Sequence, residues 1–154
     1  MSLAEEYKRQ FKWRDWSKVL DLCPIVPGQL VLDLGCGPGD LSNELAARGC
    51  IVTGVDANEE LLSIARQECK TNGSFIQCDL SSLDLGQTKF DGLWCSFTSA
   101  YITDFAKVFD SWLPFLKPDL WGCITDIDDL FGHALGSAAR WSCPFKTDSL
   151  ASSV

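Results

Sequence analysis

The stretch Val31-Leu32-Asp33-Leu34-Gly35-Cys36-Gly37-Pro38-Gly39-Asp40 constrains the fold more than any other part of the chain. Its apolar start reads as a buried strand of a parallel sheet. Three glycines follow, and a helical pattern begins at once at Leu41. A strand that runs through a glycine turn into a helix brings bare backbone and a helix N-terminus up to a ligand. The acid ahead of the first glycine narrows the choice of ligand. A carboxylate at Asp33 repels a pyrophosphate, but it suits a cationic ligand carrying an amino group.

The same alternation continues along the chain. An aromatic-rich pattern over 3–22, with Tyr7, Phe11, Trp13 and Trp16, predicts one amphipathic helix. Pro24, Pro27 and Gly28 lead into a first strand over 29–34. A helix over 40–48 stops at Gly49, and a second strand over 51–55 ends in Asp56. Asn58 caps a helix to 71, and Asn72-Gly73 turns the chain into a third strand over 74–78, followed by Asp79. A fourth strand over 90–97, a helix over 103–116 closed by Lys117-Pro118, and a fifth strand over 121–125 complete the pattern. A further helix over 130–141 and a frayed tail are expected beyond. Strand and helix in alternation imply an α/β fold: a three-layer αβα sandwich on a mostly parallel, doubly wound sheet of about five strands. A chain of 154 residues fits one domain, here 1–145 with 1–28 as a helical cap, and a flexible tail over 146–154.

Asp33, Asp56 and Asp79 sit at the C-terminal ends of three successive strands. In an open α/β sheet ligands bind outside those ends, at the switch in strand order, so all three carboxylates should line one crevice. A nucleoside explains the spacing. Asp56 follows Asp33 by 23 positions, near the offset of an acid that accepts from ribose hydroxyls. Asp79 could accept from an exocyclic amine of adenine, with Ala57 and Leu80 against the base. Gly35 and Gly37 would let the backbone approach an amino-acid end, and Asp33 would lie near its ammonium. A dinucleotide site prefers a small residue before the first glycine, which argues against nicotinamide and flavin.

These residues resemble the class I S-adenosylmethionine-dependent methyltransferases. The glycine stretch is close to that family's first motif, and Gly54-Val55-Asp56 looks like its second. Gln77-Cys78-Asp79-Leu80 is similar to the adenine-binding motif, and Phe90 to Phe97 to the fourth strand, whose end faces the methyl group. Leu116-Lys117-Pro118 before Trp121-Gly122 looks like the turn into strand five, although Asp119-Leu120 replaces the usual glycines. The resemblance implies S-adenosyl-L-methionine as cofactor, held by Asp33, Gly35, Cys36, Gly37, Asp56, Ala57, Asp79, Leu80 and Ser96. It implies in-line methyl transfer, and Cys95 to Tyr101 looks like the small-molecule branch. The Asn-Pro-Pro-Tyr motif of enzymes that methylate bases or glutamine amides is absent. His133 and Tyr101 are the candidates for a general base. The family pattern has seven strands and only five can be placed, so a truncated form, or a homodimer covering the exposed sheet edge, is the expectation. A module that binds the cofactor without turnover is the alternative.

The remaining composition limits partners. A net charge of −8 works against a nucleic-acid partner. No apolar run approaches the ~18 residues of a membrane span, and residues 1–10 are too polar for a secretory leader. Eight cysteines, none in a C-x-x-C pair, read as buried reduced thiols in a cytoplasmic protein, with disulfides or a zinc site as alternatives. Asp126, Asp128, Asp129 and His133 follow strand five on the crevice rim. They could cap a helix, contact substrate or ligate a metal ion. Trp13 and Trp16 either lid the crevice or share one apolar helix face.

Overall fold

The computed structural model describes residues 1–70 and 72–126. Five strands, β1 (Leu30–Leu34), β2 (Ile51–Asp56), β3 (Ser74–Gln77), β4 (Phe90–Ser96) and β5 (Leu116–Thr125), form one sheet in the order β3-β2-β1-β4-β5. Every pairing is parallel. The helices are α1 (Leu3–Phe11), α2 (Trp16–Asp21), α3 (Asp40–Ala47), α4 (Glu59–Glu68) and α5 (Phe105–Trp112). This is the layered α/β arrangement expected from the alternation.

Alternate residues of a strand point to opposite faces, and a parallel sheet is covered on both. Leu32 and Leu34 join Val55, Leu93 and the apolar face of α5 in one core. Val31 joins Val52, Trp94 and Trp121, with Trp16 and Leu20 of α2 and Leu41 and Leu45 of α3, in the other. That double burial is why β1 reads as an unbroken apolar run. On α5, Phe105, Phe109 and Trp112 pack ring to ring at 5.7–6.2 Å. The Trp112 indole N–H donates to the Leu80 carbonyl at 2.8 Å, so a fully buried ring carries no unpaired polar atom.

Four local expectations change. The helix over 3–22 is two helices. Ser2 and Glu5 form a reciprocal capping box that starts α1, and Asp15 caps α2 by accepting from the Lys18 N–H at 3.4 Å. The break sends the two tryptophans apart: Trp16 is 8% exposed in the core, whereas Trp13 is 68% exposed beneath the Arg9 guanidinium. Next, α4 stops at Glu68, because Cys69 turns extended and its thiol donates to the Gly39 carbonyl at 3.1 Å. In α5 the helix ends at Trp112 and tightens into a 3-10 turn, Leu113–Phe115, where Pro114 has no N–H to continue the ladder. Finally, Lys117-Pro118 lies inside β5 rather than ahead of it. Residues 117–120 bulge between the Phe90–Leu116 and Gly92–Trp121 pairings, so the missing Pro118 N–H costs no ladder bond. Lys117 reaches Asp91 at 2.7 Å across this bulge, and Asp91 also accepts the Leu30 N–H.

Among the described residues, β3 and β5 are the sheet edges. The expected helix over 130–141, Asp128, Asp129, His133 and the tail over 146–154 lie outside the described residues. A Cβ added to Gly92 would sit 2.4 Å from the Trp121 ring, which is buried and held by a 3.0 Å hydrogen bond to the Gln29 side-chain oxygen. Gly92→Ala is therefore expected to lower the unfolding free energy by ~1–3 kcal/mol, measured by urea denaturation with an unchanged slope.

Candidate functional site

The chain leaves β1 through a turn tied to the end of β2. The Gly35 and Cys36 N–H groups both donate to the Val55 carbonyl, at 2.7 and 3.1 Å. One oxygen of Asp56 accepts the Gly37 N–H at 2.8 Å, and the other accepts the Asn58 N–H at 2.9 Å. Asn58 in turn caps α4. Gly35 has φ +75°, and a Cβ there would lie 2.0 Å from the Thr98 hydroxyl oxygen. Backbone sign and close approach both exclude any larger residue.

Above the C-terminal ends of the strands lies a cleft of about 630 Å³. It opens where strand order reverses around β1, with β2 on one side and β4 on the other. Asp33, Gly35, Cys36, Gly37, Asp56, Ala57, Asp79, Leu80, Ser96 and Tyr101 all line it. Every expected site residue within the described part of the chain thus converges on one cavity. Tyr7, Phe11, Arg14, Phe97 and Thr98 line it too, and sequence reasoning did not assign them there.

The three acids occupy different environments. Asp33 is 2% exposed and accepts from the Ser42 hydroxyl at 2.6 Å. Burial raises its pKa to about 7, with the nearby Asp56 charge adding to the effect and Ser42 opposing it. Asp79 is exposed, and its Oδ1 accepts the Ser81 N–H and hydroxyl at 2.8 and 2.7 Å, which holds its pKa below the usual value. This capping sets the short turn that presents Leu80 to the cleft.

The Ser96 hydroxyl accepts the Trp94 indole N–H at 2.5 Å and shares a 2.6 Å bond with Thr125, so it ties β4 to β5. Burial pushes the Cys36 thiol pKa up, which leaves it a packing group. Tyr101 is 80% exposed on the 3-10 turn Ser99–Tyr101 after β4. Asp126 takes part in the wall, hydrogen-bonded by the Ser99 hydroxyl. A cation joins the same wall: the Arg14 guanidinium lies 4.0 Å from the centre of the Phe97 ring. Phe97 has φ +53°, an uncommon conformation for a side chain that bulky, and the edge of Trp16 packs against it. Among the described residues no cluster of three or more His, Cys, Asp or Glu side chains has metal-site geometry.

The description "Methyltransferase domain" matches residues 31–119, more than half of the chain. The chain belongs to the methyltransferase domain family, in its class I, Rossmann-like form. A ubiquinone biosynthesis O-methyltransferase of Haemophilus ducreyi is 40% identical over 100 residues, covering 60% of this chain and 42% of that protein. The crystal structure of an S-adenosylmethionine-dependent methyltransferase from Mesorhizobium loti superposes with a TM-score of 0.61 at 31% identity, covering 68% of this chain and 49% of that one. A methyltransferase from Haloferax volcanii, solved in complex with the Trm112 methyltransferase activator, superposes at 0.69 with 25% identity over 77% of this chain and 54% of that one. The chain spans about half the length, or less, of these relatives.

The Asp33 pKa fixes a pH dependence. A carboxyl that titrates near 7 when folded, against 3.8 ordinarily, keeps its proton longer in the native state. Its contribution to stability is complete below pH ~4 and is lost as pH rises through 7, by at most ~1.4 kcal/mol per pH unit. Urea unfolding at pH 5.5 and pH 8 should therefore show the parent losing stability at the higher pH. Asp33→Asn, which has nothing to ionise, should lose distinctly less.

Proposed function

We propose that this chain binds S-adenosyl-L-methionine in the cleft and transfers its methyl group to a small-molecule acceptor. The observation that carries this reading is the convergence of Asp33, Asp56, Asp79 and the glycine turn on one cavity. The donor set fits the cofactor. Asp56 uses both oxygens on backbone N–H groups and keeps lone pairs for a ribose diol. Asp79 stands at the rim beside Leu80 and Ala57, a wall suited to adenine. Gly37 lines the cleft without a side chain, so the turn can approach the amino-acid end closely, near the Asp33 carboxyl. Bound there, the cofactor supplies a methyl group on a sulfonium, a leaving group that needs no protonation.

The protein's part is then to align the two reactants and exclude water, worth several kcal/mol when geometry is good. Phe11, Trp16 and Phe97 give the acceptor side an apolar wall. Tyr101, at the mouth, is the described candidate to accept or orient the acceptor's proton, and His133 is the second candidate by sequence. The negative net charge supports a small acceptor over nucleic acid. The relative named as an O-methyltransferase puts hydroxyl acceptors first in a screen. The eight cysteines, none in a C-x-x-C pair, read as reduced thiols of a cytoplasmic protein, and among the described residues no helix is long and apolar enough to cross a membrane.

A binding module without turnover is the second reading, favoured by Tyr101 being largely exposed rather than set inside the cavity. Calorimetry with S-adenosylhomocysteine tests what the two share, and a methyl-transfer assay over phenols, carboxylates, amines and thiols separates them. Binding with no product from any class would leave the module. Asp56→Ala should weaken S-adenosylhomocysteine binding by ~1–3 kcal/mol, the cost of unpaired hydroxyls and a loosened glycine turn. Unchanged affinity would remove Asp56 from the site.

A further inference from the structure

We propose that Arg14 determines acceptor specificity: its guanidinium holds a carboxylate on an acceptor whose apolar body lies against Phe11, Trp16 and Phe97. The inference rests on the methyl-transfer reading above and deepens it by naming a class of acceptor.

The first observation is where the cleft keeps its cation. Asp33, Asp40, Asp56, Asp79 and Asp126 line it, and among the described residues Arg14 is the one Lys or Arg that does. Phe97, which Arg14 contacts, follows β4, across β1 from β2 and β3 with their acids. Opposite charges in one cavity commonly close on each other. Arg9, Arg48 and Arg66 each stand within 3.4 Å of a carboxylate oxygen, whereas among the described residues Arg14 has no such partner. The Asp126 carboxylate, the acid that follows β5, accepts instead from the Ser99 hydroxyl.

The second observation is how the guanidinium is held. Its Nη1 donates to the Gln10 carbonyl at 3.0 Å, and the group lies 4.0 Å from the centre of the Phe97 ring. The edge of Trp16 packs on Phe97 at 6.0 Å, and Phe11 stacks on Trp16 at 5.7 Å. None of these contacts neutralises the charge. They fix a cation in an apolar wall, and a guanidinium so fixed keeps further N–H donors for a planar carboxylate. The third observation is on the same wall. Trp16 is 8% exposed, and its buried indole N–H has no acceptor among the described residues. A buried donor in that state is uncommon in a folded chain. The wall is thus rich in donors, and a ligand bearing acceptor oxygens complements it. A single guanidinium balances a monoanion, so a carboxylate fits better than a phosphate near its second ionisation.

The test is ligand-observed NMR on the full chain at saturating S-adenosylhomocysteine, with benzoate and its neutral isostere benzamide as probes. The parent should bind benzoate about tenfold more tightly than benzamide, the size expected of a charged hydrogen-bonded pair. Arg14→Met keeps an apolar stem over Phe97 and drops the charge, so it should bind the two probes within about twofold of each other. A role confined to supporting Phe97 would shift both probes together and leave the preference intact, which would overturn the proposal. A parent that binds benzamide as tightly as benzoate, or binds neither, would overturn it as well. If Arg14→Met does not fold, Arg14→Gln and the parent's own preference decide the matter. A parent that binds no S-adenosylhomocysteine would bring down the cofactor reading itself, a result distinct from a parent that binds it and ignores the carboxylate.

Discussion

The Asp56 carboxylate is the joint on which the site depends. The turn after β1 runs through three positive-φ glycines, Gly35, Gly37 and Gly39, and its backbone N–H groups need partners. Asp56 accepts one of them and also the Asn58 N–H that precedes α4. The glycine turn, the end of β2 and the start of α4 are thereby one frame. Gly35 completes it from the opposite side, since Thr98 after β4 packs where a side chain would be. The cleft floor is consequently built by three strands and set by a few short contacts, not by the loops above it.

That frame also explains why one residue type serves three purposes. Asp33, Asp56 and Asp79 end successive strands. Asp33 lies under the turn, out of water, with one hydroxyl for company, and burial keeps its proton on until near neutral pH. Asp79 lies at the rim with two donors from Ser81 and stays ionised well into acid. Asp56 spends its oxygens on backbone. The cleft is therefore graded from a carboxyl on the edge of neutrality at its floor to an ionised one at its lip, a difference set mainly by burial and donor count, with the Asp56 charge adding at the floor.

How far the sequence foretold this depends on the range of the interaction. The strands were legible because each is an apolar run between turn residues, and the site residues because they follow strand ends at fixed offsets. Spacing carries no such signal for Ser42, nine positions from Asp33 on another element, or for Thr98, which reaches back to the Leu34 carbonyl across 64. Tyr7 was visible only as part of an apolar pattern. The break at Asp15 was hidden because the amphipathic pattern runs on through it, although Asp is a good cap. Pro118 misled in the opposite direction: a proline reads as the end of an element, and here a bulge at the sheet edge absorbs it.

The acceptor side of the cleft is organised by a different balance. Phe97 sits at the end of β4 with φ +53°, a conformation that costs energy for an aromatic residue. Its neighbours repay that cost: Trp16 packs edge-on at 6.0 Å, the Arg14 guanidinium lies on the other contact at 4.0 Å, and the Phe97 N–H donates to the Thr125 carbonyl at 2.8 Å. Arg14 is itself placed by a hydrogen bond to the Gln10 carbonyl, at the C-terminal end of α1. The strained residue, the cation and the helix over the cavity are thus mutually supporting. Carboxylates stand at the ends of β1, β2 and β3 and again at Asp126 after β5, and the Arg14 cation joins them on the Phe97 side. A ligand positive at its centre and attacked from the apolar side meets an environment of that polarity along its length, which is the physical reason this wall and the acid-lined floor belong to one site.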